Sequence, residues 1–341
     1  MCRKIKLFCV LALVLILGFS LQSGVSEVFA KTTELNYSIF FPATHGHTLL
    51  ATEWAKEVEK RTNGAVKINM FPGATLTPAD QTYDGVVKGI ADIGMSVLSY
   101  NKGRFPMSEV IDLPLGYKSG VQATGLANAF YKEFNPKELS DVKIMYLHGH
   151  GPGIFHTKKP VKVMEDLKGM KIRCSGTSAK VVSALGATPV AMPQNEAYES
   201  LQKGVVDGLV SPIETLKGWK FAEVIKSTTQ NFDSAYTLGF FVAMNKKKWD
   251  ALPKDVQETI EKINEEWIPK TGKAWDEFDK IGTEFTLAQG NQIIPLSKEE
   301  NERWAKTVKP VLEEYTANMK QKGLPGEEAL KFSLEWLSKN P

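Results

Sequence analysis

Apolar and polar positions alternate from Leu35 to Phe41, and Pro42 closes the run, which predicts a strand. The period then changes. Leu50, Trp54 and Val58 recur every four residues with Lys and Glu between them, so residues 47–62 read as a helix that Asn63-Gly64 ends. Ala65 to Phe71 reads as the next strand, Pro78 to Lys88 as a short helix stopped by Gly89, and Ile90 to Ser96 as a further strand. A β-α-β-α-β order predicts a sheet of parallel strands covered by helices.

The pattern returns downstream. Strands are expected at 142–147, at 170–174, around 189–191 and at 206–210, with helices at 178–185 and 195–203 between them. A short echo links the halves. Tyr83 to Asp92 reads Y-D-G-V-V-K-G-I-A-D, and Tyr198 to Asp207 reads Y-E-S-L-Q-K-G-V-V-D, with the same Tyr-to-Gly and Gly-to-Asp spacings. Similar helix–Gly–strand turns arise by chance, because Gly suits a left-handed helix end. Two lobes built on one plan would also produce the echo.

The last third differs. Pro253 to Gln289 is long, charged and helical, with Val256, Ile260, Ile263 and Trp267 at helical spacing and an interruption expected at Pro269. A short strand at 292–295 precedes a helix from Ser297 to about Lys322, and an amphipathic helix ends the chain. A long helix packed across two lobes suits a hinged cleft.

The N-terminus sets the compartment. Arg3, Lys4 and Lys6 precede a charge-free apolar run from Leu7 to Phe19, and a polar stretch ends at Val28-Phe29-Ala30. These are the parts of a cleavable secretory signal, with cleavage expected after Ala30. The run is short of the about 20 residues that a permanent span needs. Its removal leaves 39 basic against 38 acidic residues, so the overall field attracts neither nucleic acid nor an anionic membrane. Cys2 and Cys9 leave with the signal and only Cys174 remains, which excludes a disulfide framework within one chain.

Signatures of catalysis are few. Gly-x-Ser-x-Gly, His-Glu-x-x-His and the phosphate-binding Gly-x-x-x-x-Gly-Lys are absent, and Gly149 to Gly153 lacks dinucleotide-loop spacing. Cys174 lies in an expected strand and reads as a packed core thiol. All five histidines fall in two places, His45 and His47 after the first strand, and His148, His150 and His156 near the middle. The pairs His45/His47 and His148/His150 offer the one alternative to a binding protein, a secreted metal-binding protein or enzyme. No Asp, Glu or Cys sits at ligand spacing beside them, so no metal and no cofactor is expected. Arg173 stands in an otherwise apolar strand, Met170 to Cys174. A guanidinium is costly to bury without a partner, which is either a protein carboxylate or a ligand carboxylate.

The mature chain resembles the DctP-type extracytoplasmic solute receptors of tripartite ATP-independent periplasmic (TRAP) transporters. The resemblance rests on Leu167-Lys168-Gly169-Met170-Lys171-Ile172-Arg173, on Leu185 to Pro193, on Glu196-Ala197-Tyr198 through Asp207-Gly208, on Phe71 to Leu76 and on Lys88 to Asp92. It implies a two-lobed α/β periplasmic solute-binding fold with a hinged cleft and a long C-terminal helix spanning both lobes. The lobes are expected to comprise 31–149 with 238–277, and 150–237 with 278–341, after a signal at 1–30. It implies capture of a small organic acid in the periplasm, delivery to the membrane permease subunits, no enzymatic activity, and action as a monomer. It assigns Arg173 to the ligand carboxylate.

Two positions depart from the family. Many members carry a second Arg where this chain has Pro152, and Glu-Asn-Pro where it has Val210-Ser211-Pro212. Phe40 and Phe41 end the strand that points at the ligand, and Trp219 and Tyr236 lie near the hinge. Few polar anchors and many aromatics favour a monocarboxylate with an aromatic or apolar body. The expected ligand-binding set is Arg173, Ser211, Phe40, Phe41, His45, His150, Gln194 and Tyr236.

Overall fold

The structure is a computed structural model and describes residues 32–341. The basic start, the apolar run and the Ala30 cleavage site lie outside the described residues. Within them, no helix is long and apolar enough to cross a membrane.

Two mixed sheets form the frame. The first comprises β1 (Thr33–Ile39), β2 (Val66–Phe71), β3 (Ile93–Val97), β4 (Val142–Gly149) and β10 (Gly239–Asn245), in the order β2-β1-β3-β10-β4. The second comprises β5 (Ile154–Thr157), β6 (Lys171–Cys174), β7 (Thr188–Ala191), β8 (Gly208–Ser211), β9 (Ser227–Gln230) and β11 (Gln292–Pro295), in the order β11-β9-β5-β8-β6-β7. The strands expected from the sequence form the parallel pairs, β1 with β2 and β3, and β6 with β7 and β8. The sheets are not purely parallel, because β10 runs antiparallel between β3 and β4 and β5 runs antiparallel to β8 and β9. β10 is a fully buried run, Gly-Phe-Phe-Val-Ala-Met-Asn, so it shows no alternation of period two. The helix Gly120–Phe134, which covers β4, is likewise a segment that the coarse periodicity passes over.

The chain passes between the sheets three times. It crosses from β4 to β5 at residues 150–153, returns from β9 to β10 at 231–238, and crosses again through the 35-residue helix Lys254–Ala288 to β11. That helix runs unbroken through Pro269, contrary to the expected interruption. Its neighbours Trp267, Thr271, Gly272 and Trp275 are buried, and this packing offsets the hydrogen bond that proline removes. Proline does break the later helix, which the sequence reads as continuous to about Lys322. Lys298–Val308 and Pro310–Gln321 are separate, with Pro310 in the first turn of the second, where its missing N–H costs nothing. The helix Gly326–Lys339, placed by the sequence with the second lobe, packs instead on Gly120–Phe134. Gln122 Nε2 donates to Asn340 O at 2.8 Å, and a Cβ on Gly125 would lie 2.5 Å from the Trp336 ring.

The long helix is held by glycine at both ends of its contact. A Cβ on Gly272 would come within 2.9 Å of Val121 Cα, and one on Gly282 within 2.7 Å of Ile213 O. Backbone therefore touches backbone at both places.

The sequence echo is structural. Gly89 and Gly204 end their helices at φ 76° and 74°. The Asp92 N–H then donates to Asn36 O at 3.0 Å, and its Oδ2 accepts the Asn36 N–H at 2.8 Å. Asp207 does the same, its Oδ2 accepting the Lys171 N–H at 2.8 Å. In each half the aspartate caps the entry to a strand by gripping the parallel neighbour.

Candidate ligand-binding site

The largest aromatic concentration lies where the crossings meet. Phe40 and Phe41 leave β1, Tyr100 follows β3, Phe240 sits on β10, Trp219 ends the turn Thr215–Gly218, and Trp275 comes from the long helix. Phe40 stacks on Phe41 at 4.4 Å, on Trp219 at 6.0 Å and on Phe240 at 6.4 Å between centroids. These six residues, with His150, Arg173, Gln194, Val210, Ser211, Glu214, Thr215, Tyr236 and Leu238 among others, line one cavity. Both sheets and both short crossings contribute to its wall.

Arg173 is 1% exposed. Its Nε and Nη2 donate to Met192 O at 3.0 and 2.8 Å, and Nη1 donates to Gln194 Oε1. Three of its five N–H bonds are thus engaged, leaving one on each terminal nitrogen. Among the described residues no carboxylate forms an ion pair with it. The protein-carboxylate partner that the sequence left open is not there. Gln194 is positioned in turn by Tyr100, whose hydroxyl oxygen accepts the Gln194 N–H at 3.1 Å. Burial raises the Tyr100 hydroxyl pKa, against the opposing pull of the Arg173 charge, so it stays protonated.

The opposite charge sits elsewhere on the same wall. Glu214 is buried, its Oε2 lies 3.2 Å from His45 Nε2, and its own N–H donates to Asp279 Oδ1 at 3.0 Å. His45 Nδ1 accepts the His47 N–H at 3.2 Å as the helix cap, so Nε2 carries the proton given to Glu214. Burial pushes the Asp279 carboxyl well above the usual range, opposed by the Glu214 N–H bond and aided by the Glu214 and Asp276 charges.

Of the expected site residues, Phe40, Phe41, His150, Arg173, Gln194, Ser211 and Tyr236 line the cavity. His45 does not; it stands behind Phe41, with ring centroids 4.3 Å apart, and reaches the wall through Glu214. Ser211 Oγ is occupied by Thr215 Oγ1 at 2.8 Å, and Tyr236 donates its hydroxyl to Val210 O at 2.9 Å. Pro152 lies outside, in a separate cavity with Lys118, Asp276 and Asp279. Beside it, a Cβ on Gly153 would lie 2.4 Å from the Tyr236 ring, so Tyr236 fills the space a longer side chain would need. Sequence reading missed Tyr100, Glu214, Phe240 and Trp275. Phe240 lies on a fully buried strand, Trp275 on a charged helix whose inward turn only the tertiary fold shows, and Glu214 carries no motif.

Two of the central histidines are tied up by protein partners. Trp275 Nε1–H donates to His148 Nδ1 at 3.1 Å, and His156 bonds Thr228 Oγ1 at 2.9 Å and Ser211 O at 3.0 Å. Burial lowers the pKa of His156 to about 4. No group of three His, Cys, Asp or Glu able to hold a metal occurs among the described residues. Cys174 is buried, and burial raises its thiol pKa to about 11, as a packed thiol requires.

Known proteins share this architecture. The family model described as "Bacterial extracellular solute-binding protein, family 7" matches residues 37–318. A C4-dicarboxylate-binding periplasmic protein of Vibrio cholerae is 25% identical, over 80% of this chain and 82% of its own. A TRAP periplasmic solute binding protein from Desulfovibrio salexigens is 35% identical, with a TM-score of 0.79 over 90% of this chain and 96% of its own. A TRAP solute binding protein from Rhodoferax ferrireducens, in complex with copurified benzoate, is 27% identical, with a TM-score of 0.86 over 90% and 98%.

Proposed function

The chain belongs to the bacterial extracellular solute-binding proteins of family 7, the receptors of TRAP transporters, and from that premise we propose that it captures an aromatic or apolar-bodied monocarboxylate. The family binds small organic acids outside the cytoplasm and works with a membrane permease. The observation that carries the finer reading is Arg173, a buried cation without a protein counter-ion, set in an aromatic cavity. A carboxylate offers two acceptors to its two remaining N–H bonds, in a site where water no longer competes.

Glu214 supports one carboxylate over two. Glu214 lines the same cavity, so a second anionic group near its side would meet a like charge, and like charges placed together cost several kcal/mol. The benzoate relative is in keeping with a ring between these poles; the dicarboxylate relative is the competing case. We assign lobes to the two sheets, hinged at the crossings 150–153 and 231–238, a monomeric state, and release of the signal after Ala30. Light scattering and the N-terminal mass of the exported protein check the last two.

A thermal-shift panel tests the ligand class. Aromatic monocarboxylates should raise Tm by mass action on the folded state, and dicarboxylates should not. Glu214→Gln is expected to improve dicarboxylate affinity by about tenfold or more. A strong shift with dicarboxylates and none with monocarboxylates in the parent would overturn the reading.

A further inference from the structure

Four residues of the cavity wall carry nitrogens whose hydrogen bonds are incomplete, and they are not alike. Arg173 has an N–H left on each terminal nitrogen. Gln194 Nε2 and Trp219 Nε1 are buried donors without a partner among the described residues. All of these seek an acceptor, and a carboxylate supplies acceptors only. The fourth is His150, whose Nε2 is also buried and without a partner there.

His150 has the reverse demand. Its Nδ1 lies 2.5 Å from Gly151 O. A carbonyl oxygen cannot donate, so Nδ1 carries the proton and Nε2 of the neutral ring carries a lone pair. Burial, with Arg173 nearby, lowers the ring pKa to about 4, against the Gly151 bond that raises it, so the ring is singly protonated at neutral pH. The surrounding groups offer Nε2 nothing. Tyr236 spends its hydroxyl on Val210 O, and Trp275 spends its N–H on His148. The Tyr236, Phe240 and Trp275 rings stand around it at 5.5, 6.2 and 6.0 Å between centroids, nearly edge to face, and hold its plane. Thr237 Oγ1 donates to the His150 carbonyl at 2.8 Å, fixing the backbone.

We infer that His150 is a specificity-determining hydrogen-bond acceptor and that the ligand is a hydroxy acid, carrying its hydroxyl on the apolar body beside the carboxylate that Arg173 holds. This rests on the monocarboxylate reading above. A plain carboxylate closes the cavity over a desolvated lone pair, and a hydroxyl donating to Nε2 removes that penalty. A site built to receive a substrate hydroxyl rejects the analogue without one more strongly than an apolar pocket rejects a missing methylene.

Calorimetry with matched pairs tests this: mandelate against phenylacetate, and 3-hydroxybenzoate against benzoate. The hydroxy acid of at least one pair should bind tenfold or more tightly. His150→Phe should bring that ratio to about one, chiefly by weakening the hydroxy acid. His150→Gln, which offers both a donor and an acceptor, should restore part of it. In a long-range proton–nitrogen spectrum of the parent, the unprotonated Nε2 should shift with the hydroxy acid and not with its partner. Equal affinities in both pairs overturn the inference while leaving the monocarboxylate reading intact. So does an equal loss of both members of a pair in His150→Phe, the mark of a structural role. Binding of dicarboxylates alone overturns both, and the parent's pairs decide even if neither variant folds.

Discussion

Replacing Arg173 with alanine is expected to weaken carboxylate binding by at least 100-fold, about 3 kcal/mol, with little loss of stability. Its side chain is held by the Met192 carbonyl and the Gln194 amide, neither of them charged, so truncation leaves no buried anion behind. The ligand alone would lose its counter-charge. Arg173→Lys separates charge from geometry. A lysine keeps the cation but cannot serve Met192, Gln194 and two carboxylate oxygens from one plane, and a loss of about tenfold or more is expected. Calorimetric titration of both variants with the best acid of the panel reads the result. Unchanged affinity in Arg173→Ala would move the anion site elsewhere.

The second large effect concerns stability and pH. Asp112 is 2% exposed, and its Oδ1 accepts the Gly239 N–H at 2.8 Å where the chain enters β10. Its Oδ2 has no partner among the described residues. Burial pushes its pKa up to about 7 from 3.8, and the Gly239 bond and the nearby Ser99 hydroxyl only partly oppose this. The folded state therefore holds a proton that the unfolded chain releases above about pH 4. Stability from this group is fully present below that pH and is lost as pH rises through 7. Asp112→Asn keeps the acceptor for Gly239 and cannot ionise. It should match the parent near pH 4 and exceed it by up to about 4 kcal/mol at pH 8, in denaturant unfolding of the unliganded protein.

The buried histidines act with the opposite sign. Burial drives His47 well below its usual value, His148 to about 3, and His150 and His156 to about 4. Their contribution is present above pH 6.5 and declines as pH falls toward those values. They are common to parent and variant, so the difference isolates Asp112. A gap that does not widen between pH 4 and 8 would show that the carboxyl is solvated.

Arg173 was legible because its chemistry conflicts with its strand: a cation amid Met170, Ile172 and Cys174 demands an explanation. The parallel units were legible because β1 alternates and its covering helix has a clean period of four. β10 was not, since a strand buried on both faces leaves no polar beat. Trp275 shares a helix with many charged residues, and only the tertiary fold shows that it turns inward to His148 and the cavity. Glu214 was hidden for another reason. Its partners His45 and Asp279 lie far away in sequence, so its role exists only once β8, the first helix and the long helix have met. The expected single helix to Lys322 failed because proline can begin a helix as readily as it ends one.

The glycine contacts of the long helix restrict how the two sheets can move. Gly272 and Gly282 are ten residues apart, about 15 Å along the axis. Sliding the helix by one residue would replace glycine with Thr271 or Lys273 at the first contact and with Ile281 or Thr283 at the second, where Gly120 to Val121 and Ile213 to Glu214 leave no room for a side chain. Axial translation is sterically forbidden, and bending or swivelling about a fixed register remains. The helix is in effect a beam pinned at two points, and its cheapest flexure lies at Pro269, one turn before the first pin.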